Sequence, residues 1–435
     1  MNNSPNVILV SIDALRADHL SCYGYERETT PFLDSLAEES TTFTRTYSAS
    51  SHTREAVPAL LTGCRPPVHA KEGFRLGGKS VAESLSDVGY ATGGFHSNPY
   101  ASRAYGFDAG FDTFDDDLLL GGNRLTALAQ RALEKFVFKR GDYYARAEEI
   151  NDRGLSWLSE QDEPFFLWLH YMDVHGPYAP PEEARRYSEP IEASEAESLY
   201  NQCVNDPDSI TDEQHRELQN TYDDEIRYCD SQIEALFEAL ESTGALEETI
   251  VVVTADHGDA FGEHGYYAHP RRVDEELLTV PLLVSHPSSG SASRIGRPVS
   301  LLDIVPSILQ TAGLDASRLP GHTLFDATGI SIERSSPVFS SATGEDEEEG
   351  HRRFAAHSTD WTARAHFDAE GSVVESTLID AAGTVHDSEG APEDGQRLLN
   401  RLCEHAQSVG TERAESPADD EPAEVERRLE ALGYK

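Results

Sequence analysis

Thr249-Ile250-Val251-Val252-Val253-Thr254-Ala255-Asp256-His257-Gly258 is the stretch that decides the fold. Its first six residues are all β-branched, and four of them form an unbroken apolar run. A strand buried on both faces of a parallel sheet reads this way, whereas a half-exposed strand alternates. The run delivers a carboxylate, an imidazole and a glycine where it ends. In open parallel sheets, ligands gather beyond the carboxyl ends of the strands. One segment therefore predicts both an architecture and a site.

Similar segments lie on either side. Val7-Ile8-Leu9-Val10 is a second buried strand, with Asp13 just past it. Pro164 to Leu169 is a third, running into His170-Tyr171-Met172-Asp173, and Ala91 to Phe95 and Val280 to Ser285 read as further strands. Between them come helical patterns: one opening at Thr30-Pro31, one from Thr53 to Leu61 closed by Gly63 and Pro66, then Ser80 to Val88, Glu213 to Leu240 and Leu301 to Ala312. The alternation predicts an α/β fold, with a mostly parallel central sheet and helices on both faces. Composition shifts near Gly344. Glu345 to Glu349 is an acidic run, read as a solvated loop. Phe354 to Leu378 shows short β-like stretches broken by Gly371, Ala414 to Ala423 reads as a linker, and Glu424 to Leu432 as a short terminal helix. The expected organisation is a catalytic domain over 1–345 and a small C-terminal α+β subdomain over 346–435.

The chain has 435 residues and 78 acidic side chains against 35 basic ones, for a net charge of −43. Such a surface repels phosphate backbones and anionic membranes, which excludes nucleic-acid binding by charge. The acid is spread along the whole chain, and lysine occurs only at Lys71, Lys79, Lys135, Lys139 and Lys435. Adaptation to high salt, where screening quiets self-repulsion, accounts for this better than an acidic docking face. The start of the chain lacks a basic segment followed by an apolar one, and no apolar run is long enough to cross a bilayer, so a soluble, cytoplasmic protein is expected. The five scattered cysteines match neither a zinc spacing nor a disulfide framework.

The chemistry concentrates in three segments: Ile12-Asp13-Ala14-Leu15-Arg16-Ala17-Asp18-His19, Ser51-His52-Thr53-Arg54, and Asp256-His257-Gly258-Asp259 with Gly262-Glu263-His264-Gly265. Asp and His at strand ends suit a hard or borderline divalent cation. A hydroxyl at a helix N-terminus suits attack on an anionic centre, because free amides and the helix dipole favour negative charge there.

In this order the segments resemble the sulfatase-like family of the alkaline phosphatase superfamily. Tyr23-Gly24, Thr30-Pro31-Phe32-Leu33-Asp34, Leu61-Thr62-Gly63, Gly110-Phe111-Asp112, Asp173-Val174-His175-Gly176-Pro177-Tyr178 and Val280-Pro281-Leu282 continue the match, and Val425 to Tyr434 resembles the tail of archaeal members. The resemblance places the nucleophile ten positions before Gly63, at Thr53. It implies one divalent metal ion (Ca, Mg, Mn or Zn) held by Asp13, Thr53, Asp256 and His257. It also implies His175 and His269 as catalytic groups near the leaving atom, and His96 as a substrate-binding candidate. Arg54 reads either as a substrate-binding residue that steers the anionic ester or as a solvated side chain. Asp18-His19 and His264 read as structural.

Two departures matter. Sulfatases with formylglycine carry Cys-x-Pro-x-Arg at the nucleophile; this chain has Thr53-Arg54-Glu55-Ala56-Val57, and Cys64-Arg65-Pro66-Pro67-Val68 is out of register. Ala14 stands where the family keeps a second acidic ligand. The expected function is cleavage of sulfate or phosphate esters through a covalent intermediate on Thr53. A phosphoglycerol-type transferase, a phosphodiesterase and a non-catalytic anion-binding relative are the alternatives. The expected substrate is a small-molecule, glycan or lipid-head-group anionic ester, selected by loops such as Leu118 to Tyr144 and Pro180 to Asn205.

Overall fold

The computed structural model describes residues 4–71, 73–117, 144–161, 164–288, 292–332, 336–344, 348, 350–388 and 390–409. Among them, eight strands form the main sheet: β1 (Asn6–Ile12), β2 (Thr41–Phe43), β3 (Ala91–His96), β4 (Thr113–Asp115), β5 (Phe165–Tyr171), β6 (Thr249–Ala255), β7 (Leu282–Ser285) and β8 (Ser293–Ile295). Their spatial order is β8-β2-β7-β6-β1-β5-β3-β4. The run from β6 to β4 is parallel, and β7 joins it antiparallel. Every residue of β1, β5 and β6 is buried, as their apolar runs require. The mostly parallel sheet with helices on both faces is thus the observed core, and the large side chains Trp168, Tyr171, Phe43 and Phe166 fill it.

Two expectations need correction. Val280 to Ser285 is not one strand. Pro281 has no N–H to give a ladder, so Thr279–Val280 pairs with Thr46–Tyr47 in a separate ribbon while Leu282–Ser285 joins the main sheet. Nor is Pro180 to Asn205 all loop: Ala193–Asn205 is a helix that buries Ala196, Leu199, Tyr200 and Cys203. That spacing is one helical stripe, hidden from a first reading by the surrounding Ser and Glu.

The second layer of structure is a five-stranded antiparallel sheet, β9 (Val338–Thr343), β10 (Arg352–His357), β11 (Trp361–Phe367), β12 (Val373–Asp380) and β13 (Val385–His386). The helix Glu393–Ser408 covers it, with Leu398 and Leu402 packed on Phe354, Phe367 and Leu378. Its first strand begins at Val338, ahead of the expected boundary at 345/346. β9 also touches the main body: Ser341 N donates to Ala49 O at 2.9 Å, and Ser340 Oγ donates to Ser48 O at 2.5 Å. The small sheet therefore braces the segment that leads into Thr53. The run 345–349 apart from residue 348, the stretch 118–143, the 414–423 linker and the 424–432 helix lie outside the described residues. No helix among the described residues is long and apolar enough to cross a membrane.

Candidate active site

Strand register brings the distant segments together. Ile12 of β1 pairs with Ala255 of β6, so the next residues, Asp13 and Asp256, emerge side by side at the carboxyl edge. Asp13 N donates to Tyr171 O at 2.9 Å, which extends the β1–β5 ladder by one residue and fixes the Asp13 backbone. Ala14 then turns with φ +58°, a left-handed conformation uncommon outside glycine. In that conformation its N–H donates to Asp256 Oδ1 at 3.2 Å. Position 14 thus contributes a backbone donor instead of a second carboxylate.

Thr53 is the first residue of the helix Thr53–Thr62, capped by His52, whose ring accepts from Arg54 N, and closed by Gly63 at φ +68°. Ser48 staples this segment to the other side of the site: its hydroxyl contacts both Ser50 O and Asp256 O.

The centre is built around His257 Nε2. Thr53 Oγ1 lies 3.0 Å from it, Asp256 Oδ2 3.4 Å and Asp13 Oδ1 3.7 Å. All four side chains are buried. His257 Nδ1 lies 2.9 Å from Gly258 O. A carbonyl only accepts, so Nδ1 carries the proton and Nε2 turns its lone pair inward. Each carboxylate is split between two tasks. Asp13 Oδ2 accepts from Asn98 Nδ2 at 2.7 Å, and Asp256 Oδ1 accepts from Ala14 N and from His257 N, the latter at 2.8 Å. Asp13 Oδ1 and Asp256 Oδ2 are buried and accept no hydrogen bond. Two bare, buried carboxylate oxygens, an inward imidazole lone pair and a hydroxyl form a donor set that fits a divalent cation. Buried carboxylates without such a partner are costly.

Electrostatics agree. Burial opposes ionisation of Asp13, but the His170 hydrogen bond and the nearby His175 and His257 hold its carboxyl well below the ordinary range. Burial, then the charge of Asp13, pushes Asp256 up to about 7. The pair resists holding two negative charges, which a cation would relieve.

Of the other expected residues, His175 and His269 reach the centre. The His269 ring lies 4.5 Å from His257 and 4.9 Å from His175 by centroid. His269 Nδ1 meets Asp259 Oδ1 at 2.9 Å, and Tyr178 OH donates to the second oxygen of Asp259. His175 Nδ1 donates to Gly176 O at 2.6 Å. Burial lowers the pKa of both imidazoles, that of His269 to about 4. The Arg54 guanidinium stacks between Phe74 and Tyr100, 4.8 Å from each ring, directly after Thr53. His96 is not brought to the centre. Its ring packs against Phe114 and Trp168 at 5.1 Å, one step behind His170. His19 pairs with Asp223, and His264 faces Glu276, so both stand apart from the centre.

Sequence reasoning assigned no role to Asp259, Asn98 or His170. Asp259 was within reach, three residues after Asp256 in the same post-strand segment. His170 stood at an expected strand end, but only the register of β1 and β5 sets it beside Asp13; Asn98, two residues past β3, carries no local signal.

The sequence signature of the Sulfatase family matches residues 5–314. The chain belongs to the sulfatase family. It is, by that membership, an ester hydrolase. A sulfatase of Formosa agariphila is 23% identical over 361 residues, covering 72% of this chain and 70% of that protein. The phosphonate monoester hydrolase SpPMH from Silicibacter pomeroyi superposes with a TM-score of 0.71 at 20% identity, covering 95% of this chain and 97% of the other. A structure of BT4656 in complex with its substrate D-glucosamine-2-N,6-O-disulfate superposes at 0.68 with 17% identity, covering 96% and 100%. These superpositions show that the fold of those two proteins is shared over 95–96% of this chain.

Proposed function

We propose that this sulfatase-family enzyme cleaves sulfate or phosphate esters through a covalent ester on Thr53, with one divalent cation held by Asp13, Thr53, Asp256 and His257. The observation that carries the reading is the pair of bare buried oxygens, Asp13 Oδ1 and Asp256 Oδ2, facing the same imidazole nitrogen as the Thr53 hydroxyl. When bound, the cation supplies Lewis-acid chemistry, lowering the pKa of the hydroxyl and offsetting charge on the non-bridging oxygens.

The protein's own groups do the rest. Thr53 Oγ1, at a helix N-terminus, gives up its proton to solvent and attacks the phosphorus or sulfur atom; the bond to Thr53 forms as the bond to the leaving oxygen breaks. His269, oriented by Asp259, gives its Nε2 proton to that leaving oxygen, once the charge of the bound ester has raised its pKa. Water then attacks in line, giving a proton to His269, and the bond to Thr53 breaks as its oxygen regains a proton from solvent. Arg54, immobilised between two rings, supplies positive charge beside the nucleophile. A threonine ester of phosphate is open to such water attack, whereas release of sulfate by elimination needs a formylglycine hydrate. The reading therefore favours phosphate over sulfate. The phosphonate monoester hydrolase fold likeness and the disulfated sugar bound by BT4656 support small anionic esters, including glycans, as the substrate class. The charge of −43 supports a salt-adapted cytoplasm as the setting.

The test is hydrolysis of p-nitrophenyl phosphate, its diester and p-nitrophenyl sulfate in high salt with Mn²⁺, Mg²⁺, Ca²⁺ or Zn²⁺. Acid quenching and peptide mass spectrometry should find the trapped ester on Thr53. Thr53→Ala should abolish turnover; activity that survives it overturns the assignment.

A further inference from the structure

We propose that His170 is a positioning residue of the cation centre and not one of its ligands. Held as the Nε2–H tautomer, it donates to Asp13 Oδ2 and so presents the bare Asp13 Oδ1 to the ion. This rests on the cation-centre reading above.

Proximity alone would make His170 a ligand, since ligand atoms of Asp13, His170 and Asp256 lie within 4.8 Å of one another. Hydrogen-bond direction argues otherwise. The Trp168 indole has a donor and no acceptor. It donates to Ser11 Oγ at 3.0 Å. Ser11 keeps its own proton to give, and His170 Nδ1 stands 2.9 Å away. Nδ1 is then the acceptor, and a neutral imidazole that accepts at Nδ1 carries its proton on Nε2. That nitrogen lies 3.3 Å from Asp13 Oδ2, donor against acceptor; Asn98 Nδ2 stands 3.4 Å from the same nitrogen, but its short 2.7 Å bond goes to Asp13 Oδ2, so both N–H groups converge on that oxygen. The opposite tautomer would set a lone pair against a carboxylate oxygen.

Trp168, Ser11, His170, Asn98 and Asp13 are all fully buried. Inside the sheet, strand register sets the relay: Ser11 pairs with His170 across β1 and β5. Asn98 Nδ2 donates to the same Oδ2 at 2.7 Å. Two N–H donors thus occupy one oxygen of Asp13 and leave the other for the ion. Such outer partners of a ligating carboxylate orient it and raise its affinity for the metal.

The experiment is calorimetric titration of metal-free protein with Mn²⁺, Zn²⁺ and Ca²⁺. It compares wild type with His170→Ala, His170→Gln and Ser11→Ala, and checks each metal-free variant for a native thermal transition. His170→Ala should weaken all three ions by a similar factor, about 10–100-fold. His170→Gln, whose amide N–H reaches the place of Nε2–H, should restore most of that loss. Ser11→Ala should weaken binding less than His170→Ala. Equal loss in the Ala and Gln variants, or a loss that falls on Zn²⁺ and Mn²⁺ but spares Ca²⁺, makes His170 a ligand and overturns the proposal, because imidazole favours the borderline metals. Absence of binding by wild type overturns the cation centre itself. Long-range ¹H–¹⁵N NMR of histidine-labelled wild type reads the tautomer without any substitution: a protonated Nε2 on His170 supports the proposal, and a protonated Nδ1 overturns it.

Discussion

The Thr53 hydroxyl lies 3.0 Å from His257 Nε2, although the two residues are 204 positions apart in the chain. Each arrives on an independent element, one at the start of a helix and the other just past the end of a central strand. Because Gly258 O fixes the His257 tautomer, the nitrogen facing Thr53 presents a lone pair. The threonine proton therefore has an acceptor when no ion is bound, and both atoms are free to turn to a cation when one enters.

Asp256→Asn should separate stability from function. The buried Asp256 carboxyl, crowded by Asp13, is a liability in the metal-free protein. Replacing it with a neutral amide should leave the metal-free melting temperature unchanged or higher. Cation affinity should fall by more than the roughly 10–100-fold typical of losing an outer partner. Calorimetry and thermal melts with and without Mn²⁺ measure both. A variant that melts lower yet binds as wild type would contradict the ligand role.

Cation affinity should climb with pH. The Asp256 carboxyl is raised from 3.8 to about 7 by burial and by Asp13, so in the metal-free protein it contributes stability that is complete below 3.8 and lost as pH rises through about 7. A cation must displace that proton. Affinity should therefore rise close to tenfold per pH unit below about pH 7 and level off above it. His269, lowered to about 4, stays neutral across this window and adds no opposing slope. Titrations at several pH values, with proton release measured in two buffers, check the sign. A flat profile would sink the account.

Much of this was legible in the sequence, for a physical reason. Buried parallel strands must be apolar along their whole length, so β1, β5 and β6 read directly, and the residues just past β1 and β6 are where a parallel sheet places its chemistry. Asp13, Asp256 and His257 stood out in this way, whereas Thr53, at the start of a helix, was placed only by the family resemblance; the structure brings the four side chains together. Outer residues were not legible. Asn98 and His170 act through register across β3, β5 and β1, and nothing local announces which polar side chain will face which carboxylate. His96 shows the converse: it occupies a strand end like the others, yet its ring turns into an aromatic layer between Phe114 and Trp168. The helix Ala193–Asn205 was missed because an acid-rich surface dilutes the apolar stripe.

Gly258→Ala should weaken stability and cation binding together. A Cβ at this position would lie 2.1 Å from the Glu276 carbonyl oxygen, which belongs to backbone and cannot swing aside. The Gly258 N–H also donates to Leu277 O at 2.8 Å, tying the turn that carries Asp256 and His257 to the one-turn helix Glu275–Leu278. Overpacking of this kind costs about 1–3 kcal/mol. The displaced turn moves two proposed ligands at once. Thermal melts and titrations should thus shift in the same variant, and a loss of stability with unchanged affinity would show that the turn yields elsewhere.

Salt should stabilise this protein more than it does an ordinary one. With a net charge of −43, close packing of the chain forces carboxylates together at distances that unfolding relaxes. The screening length shrinks from about 10 Å at 0.1 M to about 3 Å at 1 M, which removes most of that repulsion between exposed groups. The melting temperature should therefore climb as KCl rises through this range. Denaturants separate screening from general effects on hydration: in low-salt buffer, small additions of guanidinium chloride, which is itself a salt, should raise the melting temperature, while urea at the same concentration lowers it. If KCl leaves stability flat and both denaturants lower it from the first addition, the acidic surface has another purpose.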